Sequence, residues 1–597
     1  MTFNKIVKQF LYSKNTDSST NFIDNYNKKD IYNEIQQFML PVTYLSNERI
    51  YPIQSNVKDD LELISTHENS KCIYDYALKP TNVFGECTIN LWSNQITDHI
   101  PFLKDTQTIL KNMNSLEYST TTDVEHIIPV WKMLKKDHSF MDRYNYIDWD
   151  RFKSLNYSSA FLQALSTLNI VSPLISLILP IIFMVSPFVI LKMQGIPIDF
   201  SNYVTLITRL ARNHFIGKAF MSMSNFSIEN FIYLIMTVGL YSLQMYQNII
   251  TCIKYHTNVK KVNQSLKIIE EFSDHSIKNM SNFQNILDNC PAYSSFNEQL
   301  KIHTNRLKYM KHILEKIPHF TGSLKNYTTN GYMLRCFYEL YDNKEIEETM
   351  IFSFGFEGYL NNMYGLYQNI SDNHLSYSMY NHKKNTYIEK QYYPPLIHEN
   401  AIQNNCDLSN NIIISAPNKA GKTTFLKTTT INIIFSQQFG CGFYKLATIC
   451  PYKYIHSYLN IPDTSERDSL FQAESRRCKY IIDHILENKD SRHFCIFDEL
   501  YSGTNPDEAS LAGKAFIKYL SKFSNVDFML TTHYFKTCKF FKDSDIISNY
   551  KMEVKIENTG EFNYTYKLKK GISTLKGGIR VLKDLNYPEE ILKELDI

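Results

Sequence analysis

The sequence predicts an α+α/β protein, with a long-helix region over about the first two thirds and an α/β domain of about 210 residues after it. Three observations carry that expectation. From about residue 30 to 385, apolar residues mostly recur at helical spacing, with few strand signals. From about 386 onward, short β-rich runs such as "NNIIIS" (410–415) and "FMLTTHYF" (528–535) alternate with helical stretches. The first of these runs leads straight into "APNKAGKTT", residues 416–424, whose spacing fits a loop that cradles phosphate.

The bulk numbers bound the rest. A chain of 597 residues suffices for roughly three or four domains of about 150 residues. Hydrophobic residues are 44% and charged residues 21% of it, enough for a sizeable core. The net charge of +3 is too balanced to argue for nucleic acid, so any DNA contact needs a local basic face. Eleven cysteines are scattered singly, without a C-x-x-C pair, and read as reduced core thiols of a cytosolic-type compartment. The opening "MTFNKIVKQFLYSKN" lacks an apolar h-region, so a secretory signal is not expected.

In chain order, residues 1–59 read as a variable polar segment and 60–160 as the first part of a helical core, including "TNVFGECTINLW" from 81. Residues 161–254 hold two charge-free runs, one between Lys153 and Lys192 and one between Glu229 and Lys254. Their dense parts, 170–191 and 230–253, each reach the roughly 20 residues that cross a bilayer. Pro173, Pro180 and Pro187 fall in the first, and membrane helices tolerate proline better than soluble ones. The expectation is a transmembrane hairpin in contact with lipid; the alternative is an apolar helix pair in a soluble core. Lys192, Arg209, Arg212 and Lys218 between the runs and basic outer flanks leave orientation undecided by charge. Residues 255–385 return to polar helical patterns, a second core or lever part, and 386–597 form the α/β domain.

Backbone N–H groups from the neighbours of Pro417, Ala416 and Asn418, through Lys419, Ala420, Gly421, Lys422 and Thr423 could wrap a phosphate at the positive end of the following helix. Lys422 would reach the β- and γ-phosphates of ATP, and Thr423 would ligate Mg2+ beside Thr424. Ala416 stands where the phosphate-loop pattern has its first Gly. In "HFCIFDELYSGTNPDEAS" (493–510) an apolar strand ends in two acids, of which Asp498 suits Mg2+ and Glu499 suits a general base. His533 follows a Thr-Thr strand end where a γ-phosphate sensor would sit, with an ordinary structural histidine as the alternative. Ser469, in "DTSERDSLFQAESRR" (463–477), is either a plain helix N-cap or part of an anion clamp serving a neighbouring subunit.

The order and spacing of "SAPNKAGKTT", "SLFQAE", "FDELYSGTNPDEASLA" and "TTHYF" resemble the MutS family of mismatch-repair ATPases, a branch of the ABC-type ATPases. "YYPPLI" (392–397) resembles that family's entry into its ATPase domain, and "KGISTLKGGIRVLKDLNYPEEIL" resembles its closing tail. "TNVFGECTINLW" is similar to the start of its helical core. The resemblance implies an ABC-type P-loop ATPase domain in which Asn418, Lys422, Thr423 and Thr424 hold phosphates and Mg2+. It further implies Asp498 and Glu499 as metal and base residues, His533 as sensor and Ser469 acting in trans, hence a homodimer through the ATPase domains. ATP binding would close the helical arms and hydrolysis would release them. Two positions depart from the pattern: Arg467 replaces the signature Gly, and Ala416 the first loop Gly. The mismatch-reading domain is expected to be missing and the terminal helix-turn-helix to be a stub ending at Ile597.

The function expected from all this is an ATP-hydrolysing, dimeric, MutS-like clamp acting on DNA. A membrane scaffold switched by ATP without DNA is the alternative. Both flanks of a hairpin would lie on the cytosolic side, where ATP is; without membrane insertion the protein would be nuclear or cytoplasmic.

Overall fold

The computed structural model describes residues 28–65, 71–116, 118, 124–195, 199–211, 228–320, 327–382, 385–399, 401–459, 461, 469–557, 562–575, 587, 588, 590 and 591. They fall into two compact units. One holds His126–Ile277 and Asn305–Thr349 among its described residues; the other holds Asn27–Glu125, Lys278–Thr304 and Met350–Ile597. The main helices, in chain order, are α1 (Ile73–Leu78), α2 (Val83–Trp92), α3 (Ser159–Met193), α4 (Ile228–Leu287) and α5 (Asn330–Asp342). They continue with α6 (Lys344–Ser371), α7 (Lys422–Gln438), α8 (Leu470–Glu487) and α9 (Pro506–Leu520).

The second unit carries all the strands among the described residues. A short antiparallel pair joins β1 (Ile50–Pro52) to β2 (Gln95–Thr97). A five-stranded sheet has the order β5-β4-β8-β3-β7, with β3 Ser376–Tyr380, β4 Tyr387–Gln391, β5 Asn404–Asp407, β7 Cys441–Gly442 and β8 Leu446–Ile449. A six-stranded sheet has the order β13-β12-β6-β11-β10-β9. Its strands are β6 Asn411–Ser415, β9 Tyr454–Tyr458, β10 His493–Asp498, β11 Val526–Thr532, β12 Ile547–Ile556 and β13 Phe562–Lys570. All neighbours in it are parallel except the terminal β12–β13 hairpin.

The apolar run Ile412–Ile414 becomes a central strand because a parallel sheet covered on both faces needs apolar residues at every position. All three side chains are fully buried. Register then sets the site: Ser415 pairs with Thr532 and Asp498 with Thr531, so the carboxyl ends of β6, β10 and β11 meet at one edge. Ligands of open α/β sheets bind outside that edge.

Helix α7 is buried almost throughout, Phe425, Leu426, Ile431, Ile433, Ile434 and Phe435 among its apolar residues. Each such side chain contributes about 1.5–3 kcal/mol on burial. Its polar residues are buried too, and they dock the helix onto the N-terminal core. Gln438 Nε2 donates to the carbonyls of Trp92 (2.6 Å) and Gln95 (2.9 Å), and its Oε1 accepts from Tyr74 (2.9 Å). Gln437 Nε2 donates to the carbonyls of Thr97 and Tyr452. Helices α1, α2 and α6 approach closely at glycines. A Cβ on Gly365 would lie 1.7 Å from the Leu78 carbonyl oxygen, and one on Gly358 2.0 Å from Thr88 Oγ1.

In the first unit, α3 runs unbroken through the prolines at 173, 180 and 187. Neighbouring α4 contacts it by hydrogen bonds: Tyr241 Oη donates to the Ser176 carbonyl at 3.1 Å and Asn248 Nδ2 to Ser176 Oγ at 2.5 Å. Gln163 Oε1 accepts from Gly331 N, tying α5 to the base of α3. Large apolar side chains stand exposed along both long helices, including Leu174, Leu177 and Ile182 on α3 and Ile235, Leu240 and Leu243 on α4. Among the described residues, Ser159–Leu179 is the one helical stretch long and apolar enough to cross a membrane by length and composition, with mean hydropathy 1.7 and 11% of its window buried. The apolar run 230–253 forms part of α4.

Candidate functional site

The loop after β6 and the first turn of α7 build the site. Gly421 is the N-cap residue, at φ +90°, and no side chain caps the helix. The first-turn N–H groups of a helix have no intrahelical acceptor and carry its positive dipole end, so they suit an anion. A side chain at 421 would be strained by that φ, and its Cβ would sit 3.1 Å from the Tyr566 ring. Lys419, Glu499 and Tyr501 are non-glycine residues also held at positive φ, +64°, +55° and +60°. Left-handed backbone at such residues costs roughly 1–2 kcal/mol each, and this kind of strain gathers at functional sites.

Lys422 is 5% exposed. Its Nζ donates to the carbonyls of Ala416 (3.0 Å) and Pro417 (3.4 Å), and stands 3.3 Å from His533 Nδ1 and 3.6 Å from Glu499 Oε1. Burial pulls its pKa down, with Glu499 and Asp498 pulling it back up. Asp498 accepts from Thr423 Oγ1 at 2.7 Å on one oxygen and from Thr531 Oγ1 on the other. Glu499 Oε1 lies 2.5 Å from His533 Nε2. Burial pushes the Glu499 carboxyl up, but His533 and Lys422 outweigh it and hold the carboxyl below its ordinary range. Thus Lys422, Thr423, Asp498, Glu499 and His533 come together although up to 111 residues separate them.

Two hollows flank the loop. One, of about 600 Å³, is lined by Asn418 to Phe425 and Glu499 on one wall. Tyr392, Tyr393, Leu396, Ile402, Met552 and Tyr566 line the other. The second hollow, about 430 Å³, is lined by Ser415 to Asn418, Thr532, His533 and Ser573 to Leu575. Ala416 and Ala420 are buried, while Asn418 and Lys419 are exposed. Of the aromatic and apolar wall, Tyr392, Tyr393 and Leu396 fall in the "YYPPLI" stretch, whereas Ile402, Met552 and Tyr566 carry no motif. Its one local signal is the Tyr-Tyr-Pro-Pro cluster from 392; Met552 and Tyr566 come from the β12–β13 hairpin.

Ser469 lies apart from this group, in neither hollow. It is exposed and caps α8: its Oγ accepts from Gln472 N at 3.4 Å while Gln472 Oε1 accepts from Ser469 N. Glu474, one turn further and 2% exposed, accepts from Ser502 N, Ser502 Oγ and Gly503 N at 2.9–3.2 Å. It thereby holds the loop that follows the twin acids. Arg467 and residues 576–586 of the closing segment lie outside the described residues.

The donor set fits a phosphate group with Mg2+. A buried amine and an uncapped helix end complement phosphate charge. The Thr423 hydroxyl and the Asp498 carboxylate are oxygen ligands of the kind Mg2+ takes together with substrate phosphates.

Comparison with known proteins adds that residues 412–596 match the family described as MutS domain V. A protein named endonuclease MutS2 from Streptococcus uberis is 29% identical over 189 residues, 31% of this chain and 23% of that protein. Another endonuclease MutS2, from Lactococcus lactis subsp. cremoris, is 30% identical over 188 residues, 31% and 23% of the two chains. A DNA mismatch repair protein MutS from Persephonella marina is 26% identical over 211 residues, 34% and 24% of the two. The chain spans about a quarter of the length of these curated relatives.

Proposed function

We propose that this chain is a MutS-like ATPase, with a DNA-related role and a membrane anchor. The observation that carries the ATPase reading is the meeting of the Lys422 amine, the Thr423–Asp498 pair and the Glu499–His533 pair at one loop. The domain V match and the names of the relatives support it.

In this reading the backbone N–H groups of Asn418 to Gly421, with Thr424, bind the phosphates beside Ala416 and Pro417, and Lys422 leaves its carbonyl partners to face them. The hollow behind the loop takes the nucleoside against Tyr392, Tyr393 and Tyr566. Thr423 and Asp498 hold Mg2+, which offsets phosphate charge when bound. Glu499, ionised and oriented by His533, is placed to take a proton from water. Ser469 faces the partner's ATP in a homodimer through the ATPase domains, because its cap leaves it exposed and outside its own chain's site. Arm closure on ATP follows from that pairing.

The exposed apolar faces of α3 and α4 favour lipid over a soluble core. DNA as partner rests on the relatives alone, so an ATP-switched membrane scaffold without DNA is the second reading. An ATPase assay on detergent-solubilised protein, with and without branched DNA and across salt, tests both. Turnover absent from wild type sinks the ATPase assignment. DNA retention that does not weaken as salt rises argues against phosphate contacts.

A further inference from the structure

We propose that His456, His484 and His493 form a transition-metal site suited to Zn2+, at the β9 edge of the six-stranded sheet and separate from the phosphate loop. Their ligand nitrogens all lie within 4.8 Å of one another. His456 stands on β9, His493 begins β10 and His484 projects from α8. His456 and His493 are 1% and 0% exposed, while His484 is half-buried and gives a route in.

The tautomers favour ligation. The Asn488 carbonyl can only accept, so His493 Nε2, 3.1 Å away, carries the ring proton and Nδ1 presents a lone pair. A carbonyl behind a ligating imidazole is the usual orienting contact at metal sites. His493 Nδ1 faces His456 Nε2 at 3.1 Å, close to the ~3.3 Å between two donors on a tetrahedral ion with bonds of about 2.0–2.1 Å. An independent observation points the same way. Nδ1 of His484 is shut off from solvent without a hydrogen-bond partner, a state native interiors seldom leave.

Imidazole without carboxylate suits Zn2+ or Co2+ and not Mg2+ or Ca2+. The Arg477 guanidinium opposes a cation here, but it points its Nε at the Ser457 carbonyl. Closing the set needs His484 to move inward by no more than about 1.5 Å, from within 4.8 Å of the others to the ~3.3 Å of a tetrahedral ion, which leaves a fourth position for water. The ion would pin α8, which carries Ser469 and Glu474, against β9 and β10.

The test is a Co2+ titration of chelator-stripped, full-length protein, followed by visible absorption and then Zn2+ competition. The expected result is one Co2+ per chain with the d–d bands of a tetrahedral nitrogen site, displaced by Zn2+. His484→Gln should weaken binding by more than about tenfold at unchanged circular dichroism, and Lys422→Ala should leave it unchanged. Absent or octahedral bands in the wild type, thiolate charge-transfer bands, or a His484→Gln titration equal to wild type would each overturn the site.

Discussion

A single amine shows how the centre is balanced. Lys422 is buried, with two carbonyls, Glu499 and His533 around its amine. Removing it leaves the loop after β6 without the one buried lysine or arginine among the described residues. Lys422→Ala is therefore expected to abolish nucleotide binding in a fluorescent-ATP titration, and wild-type affinity there would refute the phosphate assignment. Glu499→Gln keeps the shape and removes the proposed base; turnover should fall by about 10²–10⁴-fold while ATP stays bound. The same carboxyl makes a pH prediction. Its folded pKa is depressed below 4.5, so the unfolded chain takes up the proton first. Its stabilising contribution is complete above about pH 4.5 and is lost as pH falls through the folded value. The difference in urea stability between wild type and Glu499→Gln should shrink on acidification below 4.5; a constant difference would show the ion pairs contribute nothing.

At the scale of elements, the site depends on contacts that no local pattern announces. Glu474 on α8 reaches the loop after β10 and satisfies two backbone N–H groups and a hydroxyl. Glu474→Ala strands those donors, so the thermal transition should correspond to a loss of about 1–3 kcal/mol. Turnover should also drop, since the loop follows Glu499 directly; a variant with normal melting would show that these hydrogen bonds add nothing to stability. The crossing of α6 with α1 rests on Gly365, whose missing Cβ makes room for the Leu78 carbonyl. Gly365→Ala must force the helices apart, and a loss of several kcal/mol or failure to fold is expected. The sequence pattern announced helices in this region, but a glycine's value at a crossing exists only once the partner helix is in place.

For the whole molecule, the long apolar helices and the α/β domain are tested separately. Carbonate extraction of the full-length protein should leave it with the membrane fraction; release into the supernatant would return α3 and α4 to a soluble role. Glu499→Gln with ATP should shift the detergent-solubilised protein to a dimer in light scattering, and a monomer at saturating ATP would remove Ser469 from a trans role. What the sequence determined by itself was local and ordered along the chain. The "NNIIIS" strand, the loop to Thr424, the twin acids and the two charge-free runs are each contiguous, and their chemistry follows from residue type and spacing. The tertiary structure alone decided which distant side chains share a wall or a cavity. Tyr392 and Tyr566 facing the loop, Gln437 and Gln438 docking α7 on the N-terminal core, and three histidines from two strands and a helix are products of sheet order and register. The physical reason is that contacts between residues tens to hundreds of positions apart are set by how buried faces pack, and packing leaves no periodic trace in the chain.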